Sequence, residues 1–275
     1  MNIENFINYL ILKGLSPNTI KYYTYDVKSF FNSYDKFNRN NILSYINNDK
    51  RDINAKSRNR ILSSLRKYND FLNDKVCRIK QQDYITIQKT YTSPNTLNKD
   101  KALKFIDTIK RKESYRNYAI VMVIANTGLR ISEVLSLRLN NIKLDVNEAL
   151  IKGKGNKQRE IILNNKTVEI IHNYINNYRN KSKYANKSPY LFVSNKGIKL
   201  ATCTIQRIFN NYSDTITPHM LRHLFASNAL ENKILDVRQL QQQLGHSKLE
   251  TVLIYTHPSK DAMKFSMNSK DACIG

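Results

Sequence analysis

A chain of 275 residues is long enough for about two domains, each with its own core. Hydrophobic residues make up 41% and aromatics 10%, which excludes a disordered chain, and no run of about 18 apolar residues marks a membrane span. Lys and Arg number 45 against 22 Asp and Glu, and a formal charge of +23 calls for a polyanionic partner, either nucleic acid or an acidic membrane surface.

The first helix is predicted from Ile3, Phe6, Ile7, Leu10 and Ile11, which share one face at helical spacing. Gly14 stands where a helix-terminating residue belongs. Ser16-Pro17 then supplies an N-cap and a proline at the first position of a second helix, whose stripe is Ile20, Tyr23, Val27, Phe30 and Tyr34. A short third helix is expected through Ile42, Leu43 and Ile46. A fourth runs through Ile61, Leu65, Tyr68 and Leu72, with Arg58, Arg60, Arg66 and Lys67 among them. Residues 1–78 therefore read as a four-helix bundle with a basic surface.

Residues 79–97 lose the helical rhythm and read as a linker: 83–87 looks extended, and Thr92-Ser93-Pro94-Asn95 is loop chemistry. A second domain is predicted over 98–275. Its helices resume at Leu103, Ile106 and Ile109, and Tyr118–Ala125 reads as a buried helix ended by Gly128. Two β-prone runs, Ala149-Leu150-Ile151 and Glu160-Ile161-Ile162-Leu163, flank a Gly153-Lys154-Gly155-Asn156 turn. A helix around Val168–Tyr178 and a short strand at 190–193 follow. Thr217-Pro218 opens a helix to about Asn232, Asp236 caps another closed by Gly245, and Ser247 with Glu250 forms a capping box before Tyr255. A tail occupies about 259–275. The expected fold class is mainly α with a small β-hairpin or sheet.

The cysteines, Cys77, Cys203 and Cys273, are far apart and without metal-ligand spacing, and Met1–Asn5 lacks the order of a signal peptide. Both point to a reduced, cytoplasmic protein.

Four segments carry the chemistry: 126–133 with Arg130 and Glu133, 153–157 with Lys154, His219-Met220-Leu221-Arg222-His223, and Leu244-Gly245-His246 followed nine residues later by Tyr255. In this order and spacing they resemble the tyrosine site-specific recombinases, the Xer-like and phage-integrase group. The catalytic resemblance spans about 98–260, whereas the N-terminal bundle matches the family's SAM-like core-site-binding domain in size and helical character. The resemblance implies that Arg130, Lys154, His219, Arg222 and His246 surround a DNA phosphate, with Tyr255 as nucleophile. It further implies a 3′-phosphotyrosyl intermediate, a Holliday junction, and neither cofactor nor metal. The implied partners are double-stranded DNA with inverted-repeat core sites and a homotetramer, or a heterotetramer with a second recombinase, without a membrane.

Each residue also has its own physical reading. Two guanidiniums grip phosphate oxygens with charge-assisted forks and never deprotonate, which suits Arg130 and Arg222. Arg130 can equally pair with Glu133, three residues on. A lysine in the glycine-flanked turn can protonate a leaving oxygen; Lys152, Lys154 and Lys157 compete for that role, and the resemblance selects Lys154. His219 sits one turn before Arg222 at a helix start, where phosphate is favoured. His223 is expected to face elsewhere, and His172 has no suggestive neighbours. With 17 tyrosines in the chain, type alone does not distinguish Tyr255. The competing functions are a non-catalytic DNA-binding protein and a type IB topoisomerase-like relaxing enzyme. The chain starts at the bundle and stops 20 residues after Tyr255, a compact plan that favours a simple-site Xer-like recombinase, either a dimer resolver or a mobile-element integrase or resolvase. The tail, with Ala262, Met263, Phe265 and Met267, is expected to dock on a neighbouring protomer.

Overall fold

The computed structural model describes residues 2–47, 53–73, 77, 79–86, 97–153 and 158–245. They belong to two units, Met1–Thr90 and Tyr91–Gly275. Both are mainly helical, and one small sheet completes the second, the predicted fold class.

The first unit holds α1 (Ile3–Leu12), α2 (Pro17–Phe31), α3 (Arg39–Ile46) and α4 (Ala55–Leu72). Local chemistry starts each of them: the side chains of Asn2, Ser16, Asn38 and Asn54 accept a hydrogen bond from the amide three residues on. Each such cap contributes about 1 kcal/mol. Phe6, Leu10, Val27, Phe30, Leu62 and Leu65 are fully buried between the helices. The α1 stripe is narrower than its periodicity suggests, because Ile11 is exposed. Asp26 is buried instead, bound by Arg60 and, at 2.6 Å, by the Ser64 hydroxyl, so a polar rivet joins α2 to α4.

Residues 79–86 are fastened to this bundle rather than extended away from it. Gln81–Asp83 forms a 3₁₀ turn, Asp83 accepts from Arg39 at 2.8 Å, and the Ile85 backbone exchanges two hydrogen bonds with the Asn59 side chain. Of the run expected to be extended, Asp83 belongs to the turn and Tyr84 is extended, at φ −82° and ψ 137°. Ile87 and the loop at 92–95 lie outside the described residues.

The second unit is organised around α6 (Tyr115–Thr127), which follows α5 (Lys99–Lys112). Every residue from Tyr118 to Ile124 is buried, as a helix that is apolar on all sides requires. Gly128 ends α6 in the left-handed conformation at φ +65°, as predicted, and α7 (Ile131–Val134) begins just beyond. β1 (Ile142–Lys143), β2 (Glu148–Lys152) and β3 (Gln158–Ile162) form an antiparallel sheet in that order, with Lys152 opposite Gln158 and Glu148 opposite Ile162. The hairpin is the predicted one, and β1 is a third strand that its two residues were too short to announce.

After the sheet come α8 (Asn165–Tyr174), a π-helical turn (Ile175–Arg179), α9 (Thr202–Tyr212), α10 (Pro218–Glu231) and α11 (Val237–Leu244). The strand expected at 190–193 is replaced by isolated bridges, Arg138 to Tyr190 and Val193 to Lys199. The reason is Arg179, buried at the end of the π turn. Its guanidinium donates to the carbonyls of Ala185, Ser188, Tyr190 and Leu191 at 2.8–3.2 Å, so those oxygens serve a side chain instead of a strand partner. The sequence reading missed α9, although Ile205, Ile208 and Phe209 give it a buried stripe. No helix among the described residues is long and apolar enough to cross a membrane.

Candidate active site

The break between α6 and α7 is the foundation of the site. Gly128 turns the chain, and Arg130 takes an extended conformation at the start of α7. The Arg130 amide donates to Glu133 Oε2 at 2.9 Å, and its Nη1 donates to Glu133 Oε1 at 3.1 Å. Arg222 projects from the first half of α10 and is 1% exposed. It donates from Nη1 to the Gly128 carbonyl at 2.7 Å and from Nη2 to the Leu244 carbonyl at 2.9 Å. The same Leu244 oxygen accepts from Arg130 Nη1 at 3.3 Å. The Leu244 carbonyl at the end of α11 therefore holds both arginines, the cation pairing that a helix C-terminus favours.

Sequence reasoning missed Arg159. It donates to Glu133 through both terminal nitrogens, at 2.9 and 3.1 Å, and through Nε to the Gln243 carbonyl at 3.3 Å. The signal was the β alternation: Arg159 shares a face of β3 with buried Ile161, and an inward arginine needs a buried acceptor. Gln243 was missed as well. Its amide donates to the Thr127 and Ile162 carbonyls and accepts from the Ile162 amide, tying α11 to α6 and β3. A side chain at Gly245 would be strained by φ +65°, and its Cβ, 2.6 Å from the Arg159 guanidinium, would force that group to shift.

Glu133 is 5% exposed. Burial pushes its carboxyl upward, but the Arg159 hydrogen bonds, the Arg130 amide and the charges of both arginines outweigh that and hold it below the ordinary carboxylate range.

His219 lies in the first turn of α10, with Thr217 as N-cap. Burial, then the charges of Arg222 and Arg130, lower its pKa. His223 does not face elsewhere as expected. Four residues on a helix return it to the same face, and its Nε2 lies 3.0 Å from His219 Nε2. Burial, His219 and Arg222 push His223 down to about 4. Both imidazoles are neutral at neutral pH.

The structure thus brings together Arg130, His219 and Arg222, with Glu133, Arg159 and His223 around them. Lys154, His246 and Tyr255 lie outside the described residues, as do the Ser247 capping box and the tail. Lys154 belongs to the connection between β2 and β3, and His246 follows Gly245 in the chain. No group of three or more His, Cys, Asp or Glu suited to a metal ion occurs among the described residues. A pair of fixed guanidiniums beside a neutral imidazole suits a phosphate ester: the cations stabilise its oxygens while the imidazole can take a proton.

The pattern of the phage integrase family matches residues 95–262, and that of the phage integrase N-terminal SAM-like domain matches 3–75. The TnP I resolvase of Bacillus thuringiensis is 39% identical over 279 residues, covering 96% of this chain and 98% of that protein. The tyrosine recombinase XerD of Staphylococcus haemolyticus is 29% identical, covering 97% of each. Among solved structures, XerA recombinase is 27% identical with a TM-score of 0.57, covering 99% of this chain and 98% of that one. XerH bound to a palindromic difH substrate after cleavage, at 24% identity and a TM-score of 0.68, covers 92% of this chain and 80% of that one and shares the fold. The chain belongs to the phage integrase family and is a tyrosine recombinase, an enzyme of site-specific DNA strand transfer.

Proposed function

We propose that Tyr255 attacks the scissile phosphate, with Arg130 and Arg222 on its non-bridging oxygens and His246 donating a further hydrogen bond. The P–O5′ bond breaks as the Tyr255 oxygen bonds to phosphorus. The phenol proton passes to neutral His219, and Lys154 from the β2–β3 connection protonates the departing 5′ oxygen. The 3′-phosphotyrosyl ester keeps the bond energy, so a 5′-hydroxyl from a partner strand reverses the step without a nucleotide cofactor. Two rounds on double-stranded DNA with inverted-repeat core sites exchange strands through a Holliday junction in a tetramer. Residues 1–78 serve as the core-site-binding domain, joined by 79–97 to the catalytic domain, and the protein works in the cytoplasm. The 39% identity to a protein named TnP I resolvase favours a resolvase role over integration.

The observation that carries this reading is the convergence of Arg130, Arg222 and a neutral His219, reached from α10 and the α6–α7 break. Tyr255→Phe is expected to bind DNA normally and form no covalent adduct on a nicked suicide substrate. An adduct in that variant would move the nucleophile to another tyrosine. Wild-type adduct without strand exchange would instead indicate a relaxing enzyme.

A further inference from the structure

Three guanidiniums surround Glu133, and the carboxylate does not divide itself evenly among them. Arg159 takes both oxygens in a fork, at 2.9 and 3.1 Å. Arg130 reaches Glu133 through one side-chain nitrogen, at 3.1 Å, and Arg222 stands 3.9 Å away. Of the two side chains that hydrogen-bond Glu133, that of Arg159 is 14% exposed and that of Arg130 is 45% exposed. Among the described residues, the protein contacts of the Arg130 side chain run through Nη1.

We propose that Arg159 is a positioning residue, which takes up the charge of Glu133 so that Arg130 keeps its own for the phosphate. The inference rests on the reading of Arg130 as a phosphate ligand. A buried carboxylate cannot stay ionised without a partner. With Arg159 absent, Glu133 has Arg130 and Arg222 as its remaining cations, and a fork onto Arg130 would occupy the nitrogens a phosphate needs. Arg159 thus lets the site bury an orienting carboxylate beside its anion clamp without cancelling the clamp. Its Nε bond to the Gln243 carbonyl adds a second effect, fixing the helix end that leads to residue 246.

The two effects separate in a double substitution. Arg159→Met is expected to slow single-turnover adduct formation on a nicked suicide substrate by about 100-fold, the scale of losing one transition-state hydrogen-bond donor. Its DNA affinity should change by less than about threefold, because a half-buried side chain committed to Glu133 contributes little to phosphate contacts made elsewhere. Glu133→Gln combined with Arg159→Met removes the charge that captures Arg130, and should recover about tenfold or more of the lost rate. Arg159→Lys, which keeps the charge but loses the fork, should fall between wild type and Arg159→Met. Thermal melting of each variant separates misfolding from lost chemistry. If Arg159→Met melts without a cooperative transition, the comparison of Arg159→Lys with Glu133→Gln/Arg159→Lys replaces it. A folded double variant no faster than its Arg159 parent would overturn the assignment, as would wild-type rates in Arg159→Met. A wild-type protein that forms no adduct would overturn both the assignment and the catalytic reading beneath it.

Discussion

His219 and His223 stand one turn apart with their Nε2 atoms 3.0 Å from each other, and burial and neighbouring arginines keep both neutral. On the proposed mechanism, in which His219 is the base, it is therefore ready at neutral pH, and the acid limb of the single-turnover rate should fall below pH 6.5, the ordinary histidine value. An acid limb centred at or above pH 6.5 would mean that His219 is not the proton acceptor. For stability the sign is also fixed. His223 is held down to about 4 when folded, whereas the unfolded chain takes up that proton near pH 6.5. Unfolding is thus favoured progressively as pH falls from about 6.5 to about 4. Glu133, held below its unfolded value, adds its own loss at lower pH still, as the carboxylate range is crossed. Urea midpoints measured across this range should decline with acid, and His223→Asn should flatten the upper part of the decline. A flat wild-type curve between pH 6.5 and 4 would contradict the burial of that imidazole.

At the scale of elements, Arg179 shows how one side chain can replace a secondary structure. Its guanidinium binds four carbonyls in the 185–191 segment, and that segment follows a side chain rather than a strand neighbour. Arg179→Met should cost roughly 3 kcal/mol or more, since several buried acceptors lose their donor at once. Chemical denaturation measures this directly, and a loss under about 1 kcal/mol would show that water replaces the guanidinium at little cost. The same residue explains what the sequence conveyed and what it withheld. Ser16-Pro17, Gly128, Thr217-Pro218, Asp236 and Gly245 marked their helix ends correctly, because a cap is satisfied within a few residues of itself. That Arg130, His219 and Arg222 come together was to be expected from the family resemblance that their order and spacing carry. Arg159, Arg179 and buried Asp26 were not: each is explained by a partner distant in the chain or by carbonyls whose orientation the fold decides. His223 was misjudged although helical periodicity alone places it beside His219.

At the scale of the whole molecule, chemistry and assembly are expected to separate at the C-terminus. The apolar set Ala262, Met263, Phe265 and Met267 is too short to bury itself, which suits docking on another protomer. Deleting residues 260–275 should leave binding to a single core site intact while reducing synapsis and recombination. Equal recombination by the truncated protein would remove the tail from the assembly. The excess of positive charge acts at a different level: it strengthens contact with any duplex, and salt should weaken single-site binding of full-length and truncated protein alike.

Arg130 and Arg222, the two arginines proposed to clamp the phosphate, are not equivalent in what depends on them. Arg222, 1% exposed, supplies donors to the Gly128 and Leu244 carbonyls and so joins α10 to the α6–α7 break and the end of α11. Arg130 is far more accessible and holds less of the fold. Consider descendants of this gene released from selection for strand exchange but still required to fold, for instance as DNA-binding relics of a decayed mobile element. Substitutions should accumulate at position 130 first and at 222 late, so the order of loss would date the silencing of such a lineage. An intact Arg222 in a relative is thus weak testimony that it still recombines DNA, whereas an intact Arg130 is strong.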